Sequence, residues 1–424
     1  MVITIGCIKK IICYIGIFYL LFCGYFANIP IVLQQVLYWG GPIFFITYKF
    51  RNILFYINKY VFISILLLFT ALIWGVTVIT FSASDDFSYI YKIMHVYRYM
   101  SLFLLFYVVV LEFSNGDSFE NISKWYIGFI FILISSTLYF CVNYEDRFLW
   151  QSLFVADMVK ERLVSIEAYI MRFSIIGFTG FEDTLKCSLG MLFSWYLITR
   201  KKKIGYIGMI LSIIGNFFYG RIGVIISAIY IVFLFLNRDT LKFVIVMLLF
   251  FIGCYFSLLM VDDPYINLWL LWICDPVESF FSGLSVGQLT FGGSADTLIE
   301  RMYFPIDDET LMHGDGKYTT TEGYYMHTDA GFMRILLFGG IPMMVLVYGA
   351  FLCLSYSAYI RLKKMQNVLK RIVLPLVIAF FISEYKGDPY PFYFGIMFLL
   401  NFVGNRSSSY DNKHIRQIIR RQSD

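Results

Sequence analysis

Apolar positions in this chain do not alternate with polar ones, as they would in a half-buried strand. They run on. Uninterrupted apolar stretches occupy 11–27, 31–48, 60–81, 93–112, 125–142, 184–199, 204–219, 222–237, 243–261, 331–358, 372–384 and 390–404, with short polar segments between them. A helix needs about 20 apolar residues to cross a hydrocarbon layer of roughly 30 Å, and most of these runs come close to that. The pattern predicts an all-α, polytopic integral membrane protein with about 12 transmembrane helices. Two pairs, 11–27 with 31–48 and 372–384 with 390–404, read equally well as re-entrant segments. Either choice leaves the sides of all other segments unchanged.

Lys and Arg set the orientation, because cationic loops stay on the cytoplasmic side. With the N-terminus inside, the inside segments collect 22 of the 34 basic residues, and each holds at least one. They include Lys9 and Lys10, the run Arg200–Lys203, and Arg361 with Lys363 and Lys364. Both termini are then cytoplasmic. The N-terminal run lacks a small-residue cleavage site and reads as a retained first helix. The expected organisation is an N-terminal bundle over 1–142, a first large outer loop over 143–183 and central spans over 184–261. A large acidic outer loop over 262–330, C-terminal spans over 331–404 and a tail over 405–424 complete it. Residues 163–181 are expected to lie against the outer membrane surface.

Composition supports the pattern and excludes several classes. The chain of 424 residues is 59% hydrophobic, 20% aromatic and only 15% charged, too few charges to coat soluble domains of this total size. The eight cysteines show no paired spacing, so neither a zinc site nor a disulfide framework is indicated. A nucleic-acid binder, a secreted disulfide scaffold and a coiled coil are all ruled out. No nucleotide-binding, metalloprotease or serine-hydrolase motif occurs. Energy or group transfer must therefore come from an ion gradient or an already activated substrate, with no cofactor and no metal expected.

The outer side has few cations, so each is informative. Arg172 lies in Met171-Arg-Phe-Ser-Ile-Ile-Gly-Phe-Thr-Gly180, ahead of Glu182 and Asp183. Arg221 lies in the turn Tyr219-Gly-Arg-Ile-Gly223, and Arg334 lies just inside a span. Guanidinium groups are costly at a membrane boundary and suit phosphate oxygens; the alternatives are snorkelling to headgroups or pairing with Glu182, Asp183 or Asp329. His327 and Asp329 precede the last large span, and a neutral imidazole there is a candidate proton acceptor. Lys92, His95 and Arg98 recur at helical spacing and are expected to pair with Asp85 and Asp86. The loop 262–330 carries twelve acidic residues against Arg301 and Lys317, with many aromatic rings, and is expected to fold into short helices and turns.

The segment from His327 to Pro342 resembles the start of a late span in Wzy-type repeat-unit polymerases, the O-antigen and capsule polymerases related to the O-antigen ligases. Tyr219–Gly223 resembles their Arg-Gly turn, and Arg172–Gly180 their first-large-loop Arg-x-Ser/Gly segment. In the ligases Asn follows the His, whereas Thr328 and Asp329 follow here, which leaves the base open among His327, Asp329 and Glu182. The resemblance implies glycosyl transfer at the outer face of the bacterial inner membrane, with undecaprenyl-diphosphate-linked glycans as donor and acceptor. Arg172, Arg221 and Arg334 would hold the diphosphate. Membrane lipid and a chain-length regulator protein are the further partners it suggests. A lipid-linked oligosaccharide flippase or another polysaccharide transporter is the competing class.

Overall fold

In the computed structural model, described residues are 5–22, 57–113, 117–151, 172–178, 180–234, 301–321, 323–365 and 369–403, with isolated positions at 153 and within 30–39 and 245–274. Helices dominate. In chain order they are α1 (Ile5–Phe22), α2 (Lys59–Phe81), α3 (Ser88–Phe113), α4 (Ser118–Val142) and α5 (Tyr144–Gln151). A hairpin of β1 (Phe173–Ser174) and β2 (Gly177–Phe178) precedes α6 (Phe181–Thr199), α7 (Lys203–Tyr219) and α8 (Arg221–Leu234). After α9 (Asp308–His313) and a second hairpin, β3 (Thr319–Thr320) with β4 (Gly323–Tyr324), come α10 (Gly331–Met365), α11 (Lys370–Lys386) and α12 (Tyr390–Val403).

Among the described residues four helices are long and apolar enough to cross a membrane: α2, α3, α4 and the Gly331–Lys363 part of α10. The helices α6, α7, α8, α11 and α12 also coincide with apolar runs of the sequence but are shorter. Of the expected spans 31–48 and 243–261 only scattered positions are described, and 154–171 of the outer loop 143–183 and residues 275–300 fall outside the described residues.

The chain forms two compact units. The first comprises 1–37 and 123–297; the second comprises 38–122 and 298–424. In the first, α6 is buried on every side from Asp183 to Ile198, which makes it the central helix. It packs chiefly on α7 along a seam of small residues. A Cβ at Gly208 would overlap the Ser194 side chain, and one at Gly215 would overlap Cys187. A cluster of rings from α1 (Tyr14, Phe18, Phe22) closes on Trp125, Tyr126 and Phe129 of α4.

In the second unit α12 is the buried helix, with every residue from Tyr390 to Val403 enclosed. It packs on α3, while α2 packs on α10. The opposite face of α2 stays bare: Phe62, Leu66, Phe69, Ile73 and Val76 recur at helical spacing and are all exposed. Such a continuous apolar stripe is untenable in water and suits lipid. At the other end of these helices Asn58 caps α2 and donates to Ser357 Oγ at 2.7 Å. Ser357 in turn donates to Asn401 Oδ1, which pins α2, α10 and α12 together.

Candidate functional site

The long helix α10 is broken. Gly339 (φ −140°, ψ 15°) and Gly340 (φ 66°, ψ −168°) leave helical geometry, and Pro342 restarts the helix where no amide donor is needed. The carbonyls freed by the break find new donors. Asp315 N donates to Leu337 O at 2.7 Å, Gly316 N to Phe338 O at 3.0 Å, and Trp74 Nε1 to Gly339 O at 2.8 Å. The sequence His313-Gly-Asp-Gly316 permits this, since Gly314 (φ 75°) and Gly316 (φ 64°) turn in the left-handed region. A Cβ on Gly314 would strike the backbone at Phe338 and Gly339. Residues 341–363 alone rise about 34 Å, enough to span, so Arg334 need not enter hydrocarbon.

Over this break sits the described part of the acidic loop. Asp307 caps α9 by accepting from Thr310 N at 2.8 Å, and these bonds hold its carboxyl below the usual carboxylate range. Asp315 accepts from the Thr310 hydroxyl at 2.7 Å and from Tyr325 OH at 3.0 Å. Burial, and then the Asp315 carboxylate, push the Tyr325 phenol up. The result is a cleft of about 1030 Å³ between the end of α2 and this segment. Trp74, Phe81, Phe304 and Tyr325 supply rings; Asp307, Glu309 and Asp315 supply carboxylates; Lys317 and His313 also face it. Alternating rings and hydrogen-bond acceptors is chemistry suited to sugars, whose apolar ring faces stack while their hydroxyls donate.

Beside the cleft lies a buried ionic cluster. Arg334, 4% exposed, donates from NH1 to Asp388 Oδ1 at 2.9 Å, and Lys92 Nζ reaches the same oxygen at 2.5 Å. The guanidinium is clamped between rings, 3.9 Å from the Tyr318 centroid and 3.5 Å from that of Tyr324. Glu384, fully buried one turn before Asp388, accepts from Tyr348 OH at 3.0 Å. Asp86, two residues ahead of α3, holds the same hairpin, accepting from Tyr318 N and Thr319 N at 2.6 Å each.

The structure therefore places Arg334 inside the protein, engaged by Asp388 and two rings. The expected pairing of Lys92 with Asp85 and Asp86 is not what forms. Lys92 reaches Asp388, Asp86 serves the hairpin, and Arg98 lies over the rings of Tyr38 and Tyr99. His327 and Asp329 are both exposed. Met326 and His327 sit consecutively at φ 54°, a strained turn anchored by Thr328, whose hydroxyl donates to Met302 O at 2.8 Å. Strain of this kind concentrates at functional positions.

Arg172, Glu182 and Arg221 belong to the first unit, at one end of its bundle. Arg172 leads into the β1–β2 hairpin, which Trp150 Nε1 and Ser136 Oγ hold at Ile175. The turn Gly220-Arg221-Ile222-Gly223 packs on Thr184, two residues from Glu182, with no room for a Cβ at Gly223. Thr137 and Tyr219 hydroxyls meet at 2.7 Å and tie α4 to this same end. Beneath it, Lys186 donates to Asp183 Oδ1 at 2.8 Å and to Phe22 O at 3.0 Å.

Sequence reasoning missed Asp388, Glu384 and the cleft carboxylates Asp307 and Asp315, and it did not give Asp86 its role at the hairpin. The closely spaced glycines 314 and 316 and the pair Gly339-Gly340 were the available signal. Among the described residues no group of three His, Cys, Asp or Glu is placed to hold a metal. Compared with protein-family models and with curated proteins, the chain matches none.

Proposed function

We propose that this protein is a membrane glycosyltransferase. It would polymerise undecaprenyl-diphosphate-linked oligosaccharide repeat units into O-antigen or capsular polysaccharide at the outer face of the inner membrane. One observation carries the reading: an aromatic, carboxylate-lined cleft at the end of apolar helices, beside a strained turn that displays His327 and Asp329. A lipid-linked glycan needs both an apolar path and a sugar-binding surface, and its diphosphate leaving group makes a nucleotide motif unnecessary. Arg172 and Arg221 would stabilise that leaving group. His327, Asp329 or Glu182 would accept the proton of the attacking hydroxyl. Arg334, occupied by Asp388, would instead hold the Tyr318–Tyr324 hairpin in place.

A polysaccharide transporter or lipid-linked oligosaccharide flippase is the second reading, favoured by the break in α10 and the buried charges of Arg334 and Glu384. Deleting the gene and separating the surface polysaccharide on a gel discriminates. Single repeats in place of long chains support the polymerase, whereas loss of all surface product supports the flippase.

A further inference from the structure

Two cavities of the second unit meet at Trp74 and Thr77, which line both. One is the acidic cleft. The other, of about 420 Å³, is a groove along the outer faces of α2 and α10, bounded by Thr70, Ile73, Ile341, Pro342 and Val345. Its walls offer no polar grip. The hydroxyls of Thr70 and Thr77 donate back to Leu66 O and Ile73 O, and Trp74 Nε1 is taken by Gly339 O. What remains are methyl groups and a ring, with Ile73 54% and Val345 63% exposed. The two spaces meet at the break in α10, where Trp74 holds the Gly339 carbonyl.

The cleft has the opposite character, and its charge is lopsided. Three carboxylates, Asp307, Glu309 and Asp315, face it against the single ammonium of Lys317. A sugar hydroxyl or amine finds acceptors there; a carboxylate-bearing sugar meets like charge. An apolar trough that opens into a ring-lined polar chamber fits one kind of molecule, an amphiphile with a long apolar chain and a sugar head.

We propose that groove and cleft form one binding site, entered from the lipid, for a membrane glycolipid. Its alkyl or isoprenoid chain lies against α2 and α10, and a neutral or amine-bearing sugar, not a uronate, occupies the cleft. This names the substrate class of the site read above and rests on that reading for the lipid-linked glycan. The chain lies on the lipid-facing stripe of α2, so a substrate reaches the cleft sideways without passing through water.

Photolabelling of the full-length protein in nanodiscs tests this. The probes are a diazirine-tailed alkyl glucoside and the matching alkyl glucuronide, with cross-links mapped by mass spectrometry. The glucoside should label within 70–77 and 341–346, and the glucuronide about tenfold less. Val345→Trp fills the groove at a lipid-facing position and should remove the labelling, while Glu309→Gln should narrow the gap between the two sugars. Equal labelling by both probes, or labelling spread over lipid-facing residues and indifferent to Val345→Trp, overturns the site and leaves only ordinary lipid contact. The enzymatic reading is judged separately. Groove labelling in a protein whose deletion leaves polymer length unchanged keeps the site and overturns the polymerase. Single repeats on deletion, with labelling away from α2 and α10, do the reverse.

Discussion

Replacing Asp388 by Asn changes little in shape and much in charge. The carboxylate is 8% exposed and serves Arg334 at 2.9 Å and Lys92 at 2.5 Å. Without it, two cations face one another in a space that water barely reaches. Removing one partner of a buried pair costs about 3–5 kcal/mol. Lys92 is 22% exposed and can swing its ammonium toward water, which relieves part of that; Arg334, 4% exposed, cannot. The expected loss is therefore near the lower bound, about 3 kcal/mol. The assay is SDS-driven unfolding in mixed micelles followed by circular dichroism, with trypsin cleavage at Lys317 as a local probe of the hairpin that Arg334 clamps. Asp388→Asn should unfold at distinctly lower SDS fraction and be cleaved faster at Lys317, an exposed side chain whose neighbour Tyr318 is buried. The apolar triple variant Lys92→Met, Arg334→Met, Asp388→Leu should recover most of the stability, since it leaves no stranded charge. An Asp388→Asn protein within about 0.5 kcal/mol of the parent would refute the buried cluster.

Gly340→Ala should destabilise by about 2–3 kcal/mol, because it forces a left-handed φ on a residue with a Cβ. That Cβ would also stand 2.7 Å from Leu311 O and 2.9 Å from Met312 C, backbone atoms that cannot rotate away. Gly349→Ala, whose Cβ meets only Leu67 Cδ1 at 3.8 Å, should be neutral in the same SDS titration. The Asp307 carboxyl is held below its ordinary value, so its contribution is present above the unfolded-state pKa and lost as pH falls through the lower folded value. Proteolysis within 308–316 should accelerate on acidification through that window, and Asp307→Asn should flatten the response. For the chemistry, Arg172→Lys and Arg221→Lys should lose polymer while the protein still accumulates, since ammonium cannot bind a phosphate bidentately. His327→Ala should cut chain formation by about 10²–10⁴-fold, with Asp329→Asn milder; gels showing the opposite order would move the base to the carboxylate.

Helices were legible where a long apolar run met a clear polar boundary. Lys59–Phe81 and Gly331 onward fall within a residue of the expected starts, because composition alone decides which backbone must bond to itself in lipid. Partners were not legible. Arg334 stood out as a costly cation, yet its counter-charge lies on the α11–α12 connection and its rings on a hairpin upstream. No periodicity links 318, 334 and 388. The same holds for Lys92, whose spacing to His95 suggested a surface cluster while its actual partner comes almost three hundred residues later. The break in α10 was half visible: Gly339-Gly340 in a span is a known weak point, but what fills the freed hydrogen bonds is the Gly314–Gly316 loop, a tertiary fact. Among the candidate residues, Arg221 is brought near Glu182 because Gly220 and Gly223 let its turn pack against Thr184.

The central claim is polymerisation, and purified protein tests it most directly. Reconstituted in nanodiscs and supplied with the lipid-diphosphate-linked repeat unit alone, it should convert single units into a ladder of multiples on a gel, with release of free lipid diphosphate. Val345→Trp and Arg221→Lys should each suppress the ladder. Persistence of single units, with the same substrate crossing a sealed bilayer when the protein is present, would contradict the account and make this protein a transporter.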